Sequence, residues 1–288
     1  MILKYGMNPN QTYAEFEDND NLQVLNGNPS YINFLDVLNS WQLVKELREA
    51  TAAPAATSFK HVTPSGAAIA KPFERNELQS YNRKSAARSG MTAAYLKARG
   101  SDRLASFGDV IALSDTVDVE TAKQIRTEVS DGIIAPNFES EALEILKGKK
   151  KGSYPIFQIN ADYEPETIET RQVFGFSLKQ SRNNLRIGPS ILQNIRTQAA
   201  TLPESVVENL LVGLITLKFT QSNSITITRN SHVIGIGSGQ QSRILCADLA
   251  LTKANRWYQK TKLDYASIDY PVERMSKTER DILHDQVR

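Results

Sequence analysis

Two short apolar runs, Val110-Ile111-Ala112-Leu113 and Gly132-Ile133-Ile134-Ala135, set the class of fold. Turn residues bound both runs, and residues 121–128 between them have a helical pattern. Short continuous apolar runs are typical of strands that are buried on both faces, and alternation of strands with helices is typical of α/β proteins. The sequence therefore predicts an α/β fold.

Elements of the same two kinds continue toward the N-terminus. Ser30 is suited to cap a helix whose apolar residues recur from Ile32 to Leu47. Residues 52–59 are mostly small and are suited to entering a buried strand. Residues 74–99 are predicted to form one long helix. The first half of the chain therefore alternates helices with strands.

A second half begins near residue 150, within the basic run 148–152. This run is predicted to be a solvated turn. Pro203 fits the first turn of a helix, and Asn230-Ser231 joins the strands of a predicted hairpin. Another helix is predicted over about 241–259.

The composition excludes several classes of protein. The 34 Lys and Arg residues nearly balance the 32 Asp and Glu residues among 288, so no general attraction to nucleic acid is expected. No apolar run approaches the ~18–20 residues of a membrane span, and the N-terminus lacks a signal-peptide pattern. The single cysteine, Cys246, rules out a disulfide framework within the chain. We expect a soluble cytoplasmic protein that binds neither nucleic acid nor membranes.

The histidines and the cysteine form no metal-binding pattern. His61, His232 and His284 are far apart in the sequence, and no Cys-x-x-Cys pair is present. A zinc deaminase needs a His-x-Glu motif followed by Pro-Cys-x-x-Cys. The sequence therefore predicts no catalytic metal.

The strongest local feature is Ser58-Phe59-Lys60-His61-Val62-Thr63-Pro64-Ser65-Gly66. It places a lysine and a histidine side by side where a predicted buried strand ends. Crowding and the neighbouring ammonium both disfavour the imidazolium form, which would keep His61 available as a neutral base. The alternative interpretation is a surface Lys-His pair at a strand end.

Other polar groups each allow two interpretations. Gly235-Ile236-Gly237-Ser238-Gly239 is either a structural strand-to-helix turn or an anion site, and it lacks the full spacing of a nucleotide loop. Thr220-Gln221-Ser222-Asn223-Ser224 is either a cap-rich loop or a set of pocket-lining groups. Arg243 is either a surface residue or a ligand for phosphate or carboxylate. Arg103 and Asp131 lie at the ends of apolar strands, where open α/β sheets place ligands.

An ordered series of sequence blocks spans nearly the whole chain. The blocks are Lys4-Tyr5-Gly6-Met7-Asn8-Pro9, Leu25-Asn26-Gly27, Asn39-Ser40-Trp41-Gln42-Leu43-Val44-Lys45-Glu46-Leu47, the Lys60-His61 block, Ser106-Phe107-Gly108-Asp109, Glu128-Val129-Ser130-Asp131-Gly132-Ile133-Ile134-Ala135-Pro136, residues 220–224, residues 233–244, and Lys253-Ala254-Asn255 with Trp257. In this order they resemble the AICAR transformylase (5-aminoimidazole-4-carboxamide ribonucleotide formyltransferase) domain of bifunctional purine-biosynthesis proteins.

The resemblance implies a cytidine-deaminase-like three-layer α/β fold that is duplicated within the chain. Residues 1–150 would form the first subdomain, and residues 151–288 would form a second one, incomplete at its C-terminus. The implied reaction transfers a formyl group from the cosubstrate 10-formyltetrahydrofolate to the 5-amino group of AICAR. The resemblance also implies a homodimer with shared active sites, and it is compatible with a structural monovalent cation.

The resemblance assigns roles to particular residues. Lys60, His61 and Asn223 would be catalytic: His61 would accept the amine proton, while Lys60 and the Asn223 amide would stabilise the oxyanion. Lys60 could instead orient His61 or protonate the folate nitrogen, and these roles stay open. Phe107 and Gly108 would contact the folate. The residues expected to bind the substrates are Lys4, Tyr5, Asn33, Asp131 and Arg243.

The chain also departs from the family pattern. Lys4 stands where many members have arginine, and Asn10 where many have histidine. The family's cyclohydrolase domain and C-terminal block are absent, and the chain ends at Arg288, about three turns after the capping-box pattern Ser276-Lys277-Thr278-Glu279. Ring closure to IMP is therefore not expected. Two alternatives are a relative that binds nucleotide without turnover and a zinc-independent hydrolase.

Overall fold

The computed structural model describes residues 1–17, 19–81, 87–198 and 200–263, and the pairs 275–276, 279–280 and 282–283. The strands are β1 (Leu22–Asn26), β2 (Ala55–Lys60), β3 (Thr63–Ile69), β4 (Asp109–Leu113), β5 (Ser130–Ala135), β6 (Ile156–Ile159), β7 (Ile168–Val173), β8 (Phe176–Ser181), β9 (Ile225–Arg229) and β10 (His232–Gly237). The α-helices are α1 (Tyr31–Thr51), α2 (Arg75–Ser80), α3 (Gly90–Gly100), α4 (Val119–Arg126), α5 (Ser140–Lys147), α6 (Glu204–Lys218) and α7 (Arg243–Lys260), and two short 3₁₀ turns cover Lys149–Gly152 and Pro189–Leu192.

Eight strands form one mixed sheet in the order β1-β6-β5-β4-β2-β3-β10-β9. The strands β4, β5 and β6 run parallel, and the remaining neighbours pair antiparallel. The two apolar runs are β4 and β5, adjacent and joined through α4, so the predicted α/β class is confirmed. β7 and β8 form a separate hairpin whose strand residues are all exposed.

Helices cover both faces of the sheet. α1 and α6 pack on one face, where Trp41, Leu47 and Ile215 belong to one buried cluster. α3, α4 and α5 pack on the other face, where Tyr95 and Ile133 belong to a second cluster, and α7 lies on β10 beside them. Because both faces are covered, the central strands are apolar without alternation. Within the described part of the chain, we find no helix long and apolar enough to cross a membrane.

Several predicted boundaries are confirmed. Ser30 caps α1 in a capping box with Asn33, and Asn230 and Ser231 form the β9–β10 turn with φ of 46° and 59°. Further along the chain, the Ser276 amide donates to the Glu279 carboxylate at 2.7 Å and the Glu279 amide donates to Ser276 Oγ at 3.2 Å. This is the predicted capping box; Lys277 and Thr278 between them lie outside the described residues.

The predicted single helix over 74–99 is wrong. α2 ends at Ser80, and α3 begins after Ser89, whose side chain accepts hydrogen bonds from the amides of Met91 and Thr92. A serine hydroxyl that satisfies the first amides of a helix defines a new N-terminus. The break therefore has a specific local cause, although the apolar spacing on both sides of it is helical.

The basic run is a turn, but it is only partly solvated. Lys150 and Lys151 are exposed and have φ of 51° and 55°. Lys149, in contrast, is buried, and its ammonium donates to the Glu128 carbonyl at 2.5 Å and lies 4.8 Å from the centre of the Tyr154 ring. The prediction of a solvated turn is therefore wrong for Lys149. Its ammonium contacts the Glu128 carbonyl, which is 21 residues away in the chain, and the Tyr154 ring.

The order helix–hairpin–helix occurs twice in the sheet. α1, β2, β3 and α3 follow this order with the short helix α2 inserted before α3, and α6, β9, β10 and α7 follow it without an insertion. The two units meet where β3 pairs antiparallel with β10, with Ala68 opposite His232. β6 follows residue 150 and pairs with β5, so the sheet of the first unit continues beyond that residue. The deaminase-like duplication and the division into residues 1–150 and 151–288 remain predictions.

Close contacts between glycines and helix backbones fix how near the helices lie to the sheet. A Cβ atom placed on Gly66 in β3 would lie 2.0 Å from the carbonyl oxygen of Ala98 in α3. A Cβ atom on Gly235 in β10 would lie 2.3 Å from the carbonyl oxygen of Ala250 in α7. Neither position has room for any side chain.

Gly66→Ala should destabilise the protein, because the new methyl group must push α3 away from β3. We expect a loss of about 1–3 kcal/mol in the free energy of unfolding, measured by urea denaturation. Gly188→Ala is the control, since Gly188 has a φ of −143° and no heavy atom lies within 4 Å of the place that its new methyl group would take. The control should change the unfolding free energy by no more than about 0.5 kcal/mol. Equal effects of both substitutions would contradict the tight contact.

A buried histidine joins the two units. His232 in β10 lies with Nε2 3.4 Å from the Tyr81 hydroxyl, which accepts a hydrogen bond from the Trp257 indole at 3.2 Å. Burial lowers the pKa of His232 to about 3, and the nearby Lys97 ammonium acts in the same direction. The folded protein therefore holds the imidazole in its neutral form.

Acid should destabilise the wild-type protein through His232. The unfolded chain binds a proton near pH 6.5, whereas the folded chain does not bind it until about pH 3, so stability from this residue falls as the pH drops between these values. The stability advantage of wild type over His232→Gln should therefore shrink by about 2 kcal/mol between pH 7 and pH 5. Comparing the two proteins by chemical denaturation cancels the carboxylates that they share. An advantage that stays constant with pH would contradict the prediction.

Candidate functional site

The candidate residues lie along one edge of the sheet. β2 ends there at Lys60, and its antiparallel neighbour β4 begins there at Asp109. β5 begins at the same edge, since Asp109 is opposite Ser130 in the parallel pair. Asp131 therefore lies at the amino ends of the parallel strands, whereas the sequence rule for open α/β sheets favours the carboxyl ends.

The turn between β2 and β3 carries the Lys-His pair. Lys60 is opposite Thr63 in the hairpin, so His61 and Val62 form the turn. Their φ values of 53° and 59° are left-handed, as a type I′ turn requires. This conformation costs about 1–3 kcal/mol per non-glycine residue and is least favourable for a β-branched one such as Val62. The turn therefore needs support from the residues around it.

The two side chains of the pair point to different environments. The Lys60 ammonium donates a hydrogen bond to the carbonyl oxygen of Phe107 at 2.5 Å. His61 is exposed, so the crowding expected around its imidazole is not present. The imidazole is instead open to an incoming ligand, while the lysine tethers the turn to the loop before β4.

The loop before β4 brings the predicted folate residues to the same place. Gly108 has a φ of 74°, and its amide donates to the Val129 carbonyl at 3.0 Å. A Cβ atom on Gly108 would lie 3.5 Å from a carboxylate oxygen of Asp131. The side chain of Phe107 is 42% exposed. A ligand can therefore approach the backbone of Gly108 with an aromatic ring on one side and a carboxylate on the other.

A buried polar network holds this loop from below. The Ser58 hydroxyl in β2 donates to the Asp109 carboxylate at 2.6 Å, and its oxygen lies within hydrogen-bond distance, 2.8 Å, of the Ser106 hydroxyl. Arg99 in α3 lies 3.7 Å from Asp109 and 2.8 Å from Glu128. Burial raises the pKa of Asp109 to about 6, although Arg99 and the Ser58 hydroxyl lower it. The network therefore joins the loop before β4 to β2 through Ser58 and to α3 through Arg99.

Arg103 belongs to the same network. Its guanidinium lies 3.5 Å from the Glu128 carboxylate, and both side chains are largely buried. Arg103 was expected to lie where a ligand binds. The geometry instead gives it a structural partner, the Glu128 carboxylate.

Asp131 has a cationic partner that sequence reasoning missed. The Lys150 ammonium lies 2.5 Å from the Asp131 carboxylate, and both side chains are partly exposed. Lys150 belongs to the basic run that was expected to face solvent. No local pattern shows the pair, because the two residues meet only when β5 and the turn after α5 are folded.

Asp36 is a second residue that sequence reasoning missed. It lies in α1, is 6% exposed, and accepts a hydrogen bond from the amide of Val62 at 2.6 Å. Burial raises the pKa of Asp36 to about 6; the Val62 amide and His61 lower it, and Asp131 raises it. The carboxylate therefore contacts the His61 turn, and its pKa depends on two predicted site residues, His61 and Asp131.

Asn223 is held against the turn that precedes α7. Its side-chain nitrogen donates to the carbonyl oxygens of Gln240 and Gln241 at 2.8 and 3.2 Å, and the Cys246 thiol donates to the Asn223 carbonyl at 3.2 Å. Both side-chain partners are acceptors, so the amide orientation follows from the contacts. Both N–H groups of the Asn223 amide are directed to backbone carbonyls, which leaves the side-chain oxygen to accept a hydrogen bond. Donation by this amide to an oxyanion stays a prediction.

The glycine-rich turn has a structural explanation. A Cβ atom on Gly237 would lie 2.1 Å from the Cys246 carbonyl, so β10 and α7 can approach only with glycine there.

Arg243 is the first residue of α7, is exposed, and has no ion-pair partner among the residues that the structure describes. It is free to meet an anionic ligand at the edge shared by β10 and β9.

The remaining predicted residues cluster at the start of α1. The side-chain oxygen of Asn33 accepts from the amide and hydroxyl of Ser30, both at 3.0 Å, so this residue has a capping role. The Tyr31 amide donates to the Tyr5 carbonyl at 3.3 Å, and the Lys4 ammonium lies 5.8 Å from the centre of the Tyr5 ring. In the described part of the chain, no hydrogen bond or ion pair joins these residues to Lys60 or His61.

The site is therefore assembled in part. The structure brings Lys60, His61, Phe107, Gly108 and Asp131 together through hydrogen bonds and short distances. Asn223 and Arg243 lie farther along the same edge, beside the start of β9 and α7. Among the described residues, no group of three or more His, Cys, Asp and Glu side chains is arranged to hold a metal ion.

Comparisons with known proteins point to one family. The family model described as the AICARFT/IMPCHase bienzyme matches residues 1–253. The bifunctional purine biosynthesis protein PurH of Thermoanaerobacter sp. (strain X514) is 32% identical over 259 residues, which cover 88% of this chain and 46% of the relative. PurH of Clostridium botulinum (strain Kyoto / Type A2) is 30% identical over 262 residues, with the same two shares. The chain thus spans about half the length of the curated relatives it matches.

Proposed function

Because the chain belongs to the AICARFT/IMPCHase bienzyme family, we propose that it transfers a formyl group from 10-formyltetrahydrofolate to the 5-amino group of AICAR. The products are formyl-AICAR and tetrahydrofolate. Membership of the family supports a formyltransferase role in purine biosynthesis. The observation that carries the finer proposal is the exposed His61 on a turn tethered by Lys60 to the Phe107–Gly108 loop, beside Asp131.

His61 supplies the base. The 5-amino group of AICAR is conjugated with its ring carboxamide, so it is a weak nucleophile and must lose a proton as it attacks. The amine nitrogen forms a bond to the formyl carbon, the imidazole of His61 accepts the amine proton, and the bond from the formyl carbon to the folate nitrogen breaks. The folate nitrogen takes up a proton as it leaves. General base catalysis of this kind typically contributes about 10²–10⁴-fold in rate.

Lys60 supplies the positive charge. The formyl oxygen becomes negative in the tetrahedral intermediate, and an ammonium has three N–H donors. One of them is directed to the Phe107 carbonyl, which leaves two for the oxygen or the departing folate nitrogen. The side-chain oxygen of Asn223 fits a different task, which is to accept an N–H from the substrate and orient it.

The other site residues suit the two substrates. Asp131 can accept hydrogen bonds from the nucleotide, and the exposed ring of Phe107 can stack on the flat pterin. Arg243 can bind a phosphate or carboxylate through two N–H groups, whereas Lys4 offers a single point charge for the phosphate. The formyl group comes from the bound cosubstrate, and no step assigned to these residues uses a metal.

The fold-level proposals rest on two observations. The repeated order helix–hairpin–helix supports a duplicated, cytidine-deaminase-like fold. The exposed β7–β8 hairpin, with Phe174 96% and Phe176 70% exposed, supports a homodimer in which a second copy covers it. The cytoplasm is the proposed location, and a single buried cysteine is compatible with its reducing conditions.

A formyl-transfer assay tests the reaction directly. Wild-type chain with AICAR and 10-formyltetrahydrofolate should release tetrahydrofolate, and His61→Asn should reduce kcat by about 10²–10⁴-fold, the usual contribution of a base. Asparagine tolerates the left-handed φ of this turn position, so the variant removes the imidazole and keeps the backbone. His61→Ala provides a second comparison.

The assay has two informative negative results. A wild-type chain that binds AICAR in calorimetry but shows no turnover is a nucleotide-binding relative, and the proposed transfer is then wrong. A chain that binds neither substrate overturns the assignment of this edge as the site.

The Lys150–Asp131 ion pair predicts a competition with substrate. If Asp131 binds the nucleotide, Lys150→Gln should lower the KM for AICAR, by no more than about fivefold because an exposed ion pair is worth at most about 1 kcal/mol. Lys151→Gln is the matched control, since Lys151 is the exposed neighbour with a similar φ of 55°. Steady-state kinetics measure both. An unchanged KM in Lys150→Gln would show that Asp131 does not exchange Lys150 for the nucleotide.

A further inference from the structure

A buried carboxylate on α1 reaches across to the turn that carries His61. Asp36 accepts a hydrogen bond from the Val62 amide at 2.6 Å and is 6% exposed. The distance is shorter than that of an ordinary N–H···O bond, which is the direction that a charged acceptor favours. The contact joins α1 to the β2–β3 turn through two residues that are 26 positions apart in the chain.

The turn depends on outside support. His61 and Val62 both have left-handed φ values, and neither is glycine or asparagine. The β2–β3 ladder pairs Lys60 with Thr63 and ends there, so the ladder makes no hydrogen bond to the Val62 amide. The Asp36 carboxylate satisfies this amide, which is partly buried.

Among the described residues, the Val62 amide is the one hydrogen-bond donor to the Asp36 carboxylate. No ion pair joins Asp36 to a lysine or arginine among the residues that the structure describes. The titratable groups that act on it are His61, on the turn that it holds, and Asp131, across the site. Burial of a carboxylate without a cation is unfavourable for folding. An apolar residue would be more favourable at this position if α1 only had to pack there.

We propose that Asp36 is a positioning residue for formyl transfer, which holds the His61–Val62 turn in its left-handed conformation through the Val62 amide. The inference rests on the proposed function for its catalytic consequence. Its structural part, the hydrogen bond that shapes the turn, can be measured without turnover. Asp36 is not a catalytic residue in this scheme, because it acts on the substrate only through the placement of His61.

Two substitutions separate positioning from packing. Asp36→Asn keeps a side-chain oxygen that can accept from the Val62 amide, whereas Asp36→Ala removes it. Glu46→Gln is the control for loss of a buried carboxylate on α1, since Glu46 faces the Ile187 amide at 3.4 Å and Lys218, on elements that carry none of the site residues. This control also removes the ion pair with Lys218 and lowers stability, so all variants are compared under conditions in which each is folded.

The first readout is the amide proton of Val62 in ¹⁵N-labelled protein. A short hydrogen bond to a carboxylate should move this resonance downfield in the wild-type chain. The shift should be smaller in Asp36→Asn, lost in Asp36→Ala and unchanged in Glu46→Gln. A Val62 resonance that does not respond to Asp36→Ala overturns the proposal.

The second readout is steady-state kinetics. Asp36→Ala should lower kcat by about 10²-fold, the usual effect of a misplacement of about 1 Å, with the KM for AICAR changed by less than about threefold. Asp36→Asn should recover most of kcat, and Glu46→Gln should leave it unchanged. A full kcat in Asp36→Ala, with the Val62 resonance moved, overturns the positioning role. Absence of turnover in the wild-type chain overturns the proposed function instead, while the Val62 resonance still reports on the turn.

Discussion

The strand β2 is hydrogen-bonded along both of its sides, to β3 from Ala55 to Lys60 and to β4 from Ala56 to Phe59. This double pairing brings two loops together, because the β2–β3 turn and the start of β4 must meet at one edge. A shift of one residue in either ladder would turn every side chain of β2 to the opposite face. The relative positions of Lys60, the His61 turn and the Phe107 loop are therefore set by backbone hydrogen bonds in the middle of the sheet.

Buried charges add a second set of constraints between distant parts of the chain. Lys97 pairs with Glu77, Arg99 with Glu128, and Lys218 with Glu46, and all six side chains are nearly inaccessible to water. Such pairs contribute little net stability, but removal of one partner leaves an uncompensated charge in the interior. They therefore penalise alternative arrangements of α1, α3 and α6 more than they stabilise the observed one.

The sequence predicts the parts of the fold that depend on neighbouring residues. The runs at β4 and β5, the Ser30 cap and the Asn230-Ser231 turn are all correct, because the side chains that determine them lie within a few positions. The helix over 74–99 is wrong because one serine hydroxyl outweighs the apolar spacing around it.

The candidate site divides in the same way. The Lys60-His61 pair is visible in the sequence, because its two members are adjacent. The contacts of Asp36 and Lys150 with the site, and the orientation of the Asn223 amide, are not visible there, because each depends on a backbone or side chain brought near by the fold.

The β7–β8 hairpin gives the single chain an unusual surface. Two strands that form a sheet alone are marginally stable in water, and in the described part of the chain no further strand pairs with the outer edge of either. When no second copy covers the hairpin, a protease would therefore cut near Phe174 before it cut the strands of the eight-stranded sheet, and the amide hydrogens of this hairpin would exchange with solvent long before those of β2.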